Sequence, residues 1–202
     1  MNRGLFKIWQ LLILFDSIQS SMEIKYEFIM EDERIFTACS DEPPQTLDVH
    51  GLLDFSENTF DMDESGVTIS GNTTIIWDIQ PSDRVQLAVS VLYFDRGTWQ
   101  PTTLNLMYND FCKLLFDQNQ FWYDSFTKHI INSAEIKEKC FRVKGTIIMF
   151  ETYSVDLIFS IGFPLKNGRY KILYRFTAFD KNVKRPNDIC FEIRGDFKKL
   201  RN

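Results

Sequence analysis

The chain has 202 residues, 44% of them apolar and 15% aromatic, with a formal net charge of −5 at pH 7. That apolar content is enough for one domain with a core of normal size. A mild acidic excess without basic clusters argues against a nucleic-acid partner, which needs a concentrated positive face; Lys198 to Arg201 is only a short basic tail.

The first twenty residues, MNRGLFKIWQLLILFDSIQS, combine a basic start (Arg3, Lys7), an apolar run from Ile8 to Phe15 and small residues at Ser17, Ser20 and Ser21. This is the layout of a secretory signal peptide, and the run is too short to span a bilayer. Cleavage is expected after Ser20, giving a signal peptide at 1–20 and a single mature domain at 21–202; the competing reading is a buried N-terminal strand or helix. Loss of Arg3, Lys7 and Asp16 leaves 21 basic and 27 acidic residues, a charge of −6. No second apolar stretch of membrane-spanning length follows and no lipid-anchor signal is present, so the expected product is soluble, secreted and extracellular.

From Glu23 onward the main signal is alternation. Ile24, Tyr26, Phe28 and Met30 are separated by charged residues, Val85 to Tyr93 repeats the pattern, and Tyr170 to Ala178 does so again after the turn Lys166-Asn167-Gly168. Ile189, Phe191 and Ile193 close the series. Val67 to Ile69, Thr73 to Gln80 and Gly145 to Ile161 are β-branched and aromatic runs bounded by turn residues. The acid-rich stretch Asp54 to Ser65 holds DMDE at 61–64, which lacks the spacing of an EF-hand and reads as a solvated turn. Together these predict an all-β fold of seven or more antiparallel strands, because few gaps are long enough for a crossover helix. Two sheets can then form a tight sandwich, or splay into a cup that leaves a cavity.

DFCKLLFDQNQFWYDSFTKHII, residues 110–131, is the exception. Asn109 or Asp110 can cap a short helix with Phe111, Leu114 and Leu115 on one face. After the polar break at 117–120 a second helical stretch would carry Trp122, Phe126 and Ile130 at i, i+4 and i+8. By itself this aromatic stripe is more often core than pocket lining, although wide rings suit both.

Four widely spaced cysteines, Cys39, Cys112, Cys140 and Cys190, show no C-x-x-C pattern, and in an exported protein they favour two disulfides. Three connectivities are open, of which the nested one, Cys112 with Cys140 inside Cys39 with Cys190, is preferred. Asn72-Thr73-Thr74 is an N-glycosylation sequon, placed by Gly71 and the polar residues around it at a turn.

Catalytic patterns are missing from the sequence. His50 and His129 have no partner at metal-ligand spacing, and His129 reads as a surface residue; no nucleophile elbow, phosphate loop or zinc-protease helix occurs. The carboxylate pairs Glu31 with Asp32 and Asp61 with Asp63 are exposed by context. A non-enzyme without cofactor or metal is expected.

Three features carry a family resemblance: Gly168-Arg169-Tyr170-Lys171-Ile172 opening a penultimate strand, the D-x-C-F-E-I closure at Asp188 to Ile193, and Asp110-Phe111-Cys112 starting an aromatic helix. In these, over about 21–200, the chain resembles the insect Che-type (CheA/CheB) chemosensory proteins. Those in turn are similar to the ganglioside activator of the ML lipid-recognition superfamily. The resemblance implies a cup of two antiparallel sheets around an apolar cavity, a role in binding or presenting a lipid, and for the insect branch the detection of cues such as pheromones in taste organs. It also implies the pairs Cys39–Cys190 and Cys112–Cys140. The further disulfides of the ganglioside activator have no counterparts here, which puts ganglioside itself in doubt as the ligand.

The leading expectation is a secreted binder or presenter of an apolar small molecule or lipid, with Phe111, Leu115, Trp122 and Phe126 from the helical segment and Ile148 and Phe150 from the facing strand as its wall. The alternatives are a secreted interaction module with a filled core that acts on a membrane receptor or channel, and an activator that lifts lipid to a partner hydrolase. Cavity volume is the feature that separates the first from the second.

Overall fold

The alternating segments become strands whose apolar members share a face. A computed structural model describes residues 23–32, 35–63 and 66–200, so the expected signal peptide at 1–20 and its cleavage site lie outside the described residues. Strands β1 (Ile24–Met30), β2 (Thr37–Ala38), β5 (Arg84–Asp95), β6 (Thr98–Tyr108), β9 (Ile158–Ile161), β10 (Arg169–Asp180), β11 (Val183–Lys184) and β12 (Ile189–Lys199) form sheet A. Its order is β6-β5-β10-β12-β1-β9, with β11 beside β10 and β2 beside β12. Sheet B is β3 (Leu53–Asp63), β4 (Gly66–Ile75) and β7 (Ile147–Met149) in that order, with β8 (Tyr153–Ser154) also on β4. All pairings within both sheets are antiparallel, and the architecture is the all-β, two-sheet arrangement expected.

Each ladder registers apolar residues to one side. On β5, Val85, Leu87, Val89 and Val91 are buried, and they pair with Ala178, Phe176, Tyr174 and Ile172 of β10. β12 adds Phe191, Ile193 and Phe197, β1 adds Tyr26 and Phe28, and sheet B answers with Val67, Ile75 and Ile148 in the same core. On the other side of the β10–β12 ladder, the Lys171 ammonium sits 2.6 Å from one oxygen of the fully buried Glu192, whose other oxygen accepts from Arg194 Nε at 2.8 Å. A buried carboxylate is tolerable in this position because both of its oxygens are met by cations.

Several local expectations are corrected. The acid-rich stretch is the long strand β3, and Asp61 to Asp63 of DMDE end that strand rather than forming a turn. Val67 to Ile69 and Thr73 to Ile75 belong to one strand, β4, which is central in sheet B. Gly71 marks a close approach rather than a turn: with φ of +94°, a Cβ there would lie 2.0 Å from the Glu57 carbonyl oxygen, beside the bulge in β3. Asn72 is therefore a half-buried strand residue paired with Glu57 and Met149. The run 145–161 breaks into the three short strands β7, β8 and β9.

The segment 110–131 is broken further than expected. Its helix α1 is a single turn, Phe111–Leu114. Asp110 occupies the cap position but directs its carboxylate to Lys113 at 2.8 Å rather than to a backbone N–H. The second helical stretch gives way to turns and a 3-10 turn at Thr127–His129. Asp117 explains the break: its carboxylate accepts from the backbone N–H of Asn119 at 3.0 Å and from the Gln120 amide at 2.9 Å, closing an Asx turn. The backbone bond from Asn119, followed by the Gln120 amide, holds this carboxyl below the usual range. A helix not foreseen, α2 (Ser133–Lys139), follows and leads to Cys140.

Candidate functional site

Both nested disulfides are present, Cys39–Cys190 and Cys112–Cys140, each with its Cα atoms 5.6 Å apart. Each cysteine of the second bridge has a buried phenylalanine as neighbour, Phe111 before Cys112 and Phe141 after Cys140. The bridge brings their rings to 5.4 Å. Trp122 completes the corner: its indole N–H donates to the Leu115 carbonyl at 3.0 Å, and its ring meets Phe111 at 5.2 Å and Tyr108 of β6 at 4.9 Å. A buried indole needs such a partner, and here a backbone carbonyl freed by the end of α1 supplies it.

Between this corner and the two sheets lies an apolar cavity of about 170 Å³. Leu87, Phe176 and Phe191 of sheet A, Leu53 and Ile69 of sheet B, and Phe111, Phe121, Trp122, Phe126 and Phe141 of the connecting segments wall it. No charged side chain lines it among the described residues. A lined apolar void of about 150 Å³ stays dry and accepts benzene, so this one has room for a ring or a short alkyl chain. Beside Trp122, whose N–H is committed to Leu115, the lining residues with polar side chains are Ser125, Tyr153 and Tyr174. Burial pushes both phenols well above the usual tyrosine range.

A second space opens on the far side of Phe121. It is a cleft of about 810 Å³ floored by Val89, Val91, Leu104 and Ile172 and rimmed by Gln118 to Gln120, with exposed Leu106, Ile158 and Phe163 at its margin. Phe121 lines both spaces, with its ring 5.1 Å from Trp122 and 6.4 Å from Tyr174. The cup thus has an apolar chamber and a larger, more polar cleft that share one aromatic wall.

Three of the six expected wall residues, Phe111, Trp122 and Phe126, line the chamber. Leu115 is fully buried and acts through its carbonyl on Trp122; Ile148 is fully buried opposite Thr73; Phe150 backs Phe126 at 5.6 Å. Those three do not line the chamber. Phe121, Phe141, Tyr153, Tyr174 and Phe176 are the other rings that share this wall with Phe36 and Phe191. Tyr174 and Phe176 were legible as inward members of an alternating strand, whereas Tyr153, on a two-residue strand, gave no periodic signal.

His129 is not a surface residue. Its ring stacks on Tyr153 at 3.8 Å, with Nδ1 at 2.7 Å from Glu151 and Nε2 at 3.0 Å from the Asp124 carbonyl oxygen. It braces the outer side of a cavity-lining ring. His50 is exposed on a 3-10 turn beside Phe55. Cys39, Glu42 and Cys190 converge within 4.8 Å, but both sulfurs are committed to the disulfide and Glu42 pairs with Arg175, so the group offers no thiolate to a metal.

Among the described residues no helix is long and apolar enough to cross a membrane. No protein-family model matches the chain, and no curated protein matches it.

Proposed function

We propose that the protein is a secreted, non-enzymatic binder or presenter of an apolar ligand, a lipid or hydrocarbon, serving chemical perception in the manner of the Che-type proteins it resembles. The observation that carries this reading is the inner chamber: an uncharged, aromatic-walled pocket between two sheets, which shares Phe121 as a wall with the larger cleft. A ligand seated there would be driven by removal of its apolar surface from water, at about 25 cal/mol per Å². Two disulfides suit an oxidising compartment. A glycan on Asn72 would stand on sheet B, beside the exposed Met149 with which Asn72 is paired.

The test is native mass spectrometry of protein from its secreting tissue, with competition against an environment-sensitive naphthylamine dye. Co-purified ligand, or dye uptake displaced by a hydrocarbon or a neutral lipid, is the expected result. Protein that is ligand-free and takes up neither dye nor hydrocarbon overturns the reading in favour of a surface-acting module.

A further inference from the structure

The inner chamber is apolar but not featureless. Tyr174 enters its wall from sheet A and Tyr153 from sheet B, and Ser125 lies in the connecting segment. Among the described residues none of the three hydroxyls has a hydrogen-bond partner. Three other tyrosines are bonded within the protein: Tyr26 accepts from the Leu165 N–H at 2.9 Å, Tyr93 donates to the Asn167 carbonyl at 3.1 Å, and Tyr170 donates to the Lys166 carbonyl at 2.7 Å. Hydroxyls on the lining of an apolar pocket that make no bond within the protein have hydrogen bonds to offer a ligand.

Resting on the reading above, we infer that the chamber selects a neutral ligand bearing one oxygen function, an alcohol, ketone, aldehyde or ester carbonyl, over a plain hydrocarbon, with Tyr153, Tyr174 and Ser125 holding that oxygen. Three observations shape this choice. A phenol or hydroxyl both donates and accepts, so an alcohol and a carbonyl are each satisfied. Among the described residues no cation lines the chamber, so a carboxylate there would lack a counter-charge and is disfavoured. The volume of about 170 Å³ has room for roughly six to eight non-hydrogen atoms, by the benzene-sized precedent. The aromatic stack of His129 on Tyr153 and of Tyr174 on Phe191, at 3.8 and 5.2 Å, fixes both rings before a ligand arrives.

The experiment compares benzyl alcohol, 2-heptanone, toluene and hexanoate by dye competition on the wild-type protein and on Tyr153→Phe, Tyr174→Phe and the double variant. These changes delete only hydroxyls that bond nothing in the protein, and thermal melts verify folding. The double variant is expected to lose about tenfold in affinity for the alcohol and the ketone while toluene binding is unchanged or tighter, and hexanoate is expected to bind most weakly to the wild type. A second readout needs no variant: the carbonyl stretch of bound 2-heptanone should fall below its position in hydrocarbon solvent. If toluene binds but the variants leave alcohol and ketone affinities unchanged, or the carbonyl band is unshifted, oxygen selection is overturned while the apolar reading stands. If neither dye nor any of the four compounds binds, the apolar reading itself falls and takes this inference with it.

Discussion

Strand β10 and the segment 110–131 differ in what holds them. Strand β10 is paired on one flank with β5 over Tyr170 to Phe179 and on the other with β12 over Arg169 to Phe176, so its backbone groups are satisfied by ladders and its side chains only have to alternate. The aromatic segment has one helical turn, a 3-10 turn and an Asx turn, and its position depends on side chains: the Cys112–Cys140 bridge, the Trp122 indole bond to Leu115, and ring contacts with both sheets. A framework specified by backbone pairing tolerates single losses. A wall specified by side chains loses its shape when one is removed, and that wall is where the chamber lies.

The two disulfides give the strongest way to break this contrast. Cys39–Cys190 spans 151 residues and Cys112–Cys140 spans 28, so chain entropy alone assigns them about 5 and about 3.5 kcal/mol. Replacing Cys39 and Cys190 by Ser should therefore lower stability more, read in urea melts, yet leave dye affinity within about twofold under conditions where the protein stays folded, because the β10–β12 ladder keeps its register. Replacing Cys112 and Cys140 by Ser should cost less stability and abolish dye binding. The reverse ranking in binding would mean that the wall is not held by its bridge.

Trp122→Ala tests the same point with one residue. Trp122 is 6% exposed and touches Tyr108, Phe111 and Phe121. Its truncation should cost about 3 to 5 kcal/mol and enlarge the chamber, so that ligands too wide for the wild-type protein gain affinity relative to toluene. A loss of stability without any shift in ligand size preference would mark the ring as core alone.

The same contrast explains what was legible in the sequence. β5 and β10 lie between other strands, and their buried faces left a period-two pattern that fixed both extent and orientation. β3 and β6 are edge strands of their sheets, and charged or polar residues such as Asp54, Glu57, Asp61 and Asn105, with Pro101, hid their alternation. Phe111, Trp122 and Phe126 were found because aromatic density survives a wrong secondary structure: Trp122 and Phe126 face inward without the helix expected to present them. Phe121 stood in the same stretch but off the expected helical face. Tyr153 came from a strand too short to show any period, and its place on the wall is set by the β4 partner Ile69, which only the fold supplies.

Asp83 offers the smallest and cleanest probe, because it lies in the framework and outside both spaces. Its side chain, 1% exposed just ahead of β5, accepts from Arg185 Nε at 2.9 Å, from Arg185 Nη2 at 2.8 Å and from the Gln80 backbone N–H at 2.9 Å. The hydrogen bonds from Arg185, more than the opposing effect of burial, hold this carboxyl below its ordinary value. A carboxyl depressed in the folded state contributes stability that is present above its unfolded value, about 3.9, and is lost as pH falls through the lower folded value. Asp83→Asn should thus cost about 2 kcal/mol at pH 7, with the difference from wild type shrinking below about pH 4. Dye affinity should not change at any pH where both proteins are folded, since nothing from Asp83 or Arg185 reaches the chamber wall. A fall in affinity alongside the fall in stability would show that the ladder framework and the side-chain wall are one cooperative unit rather than two differently built parts.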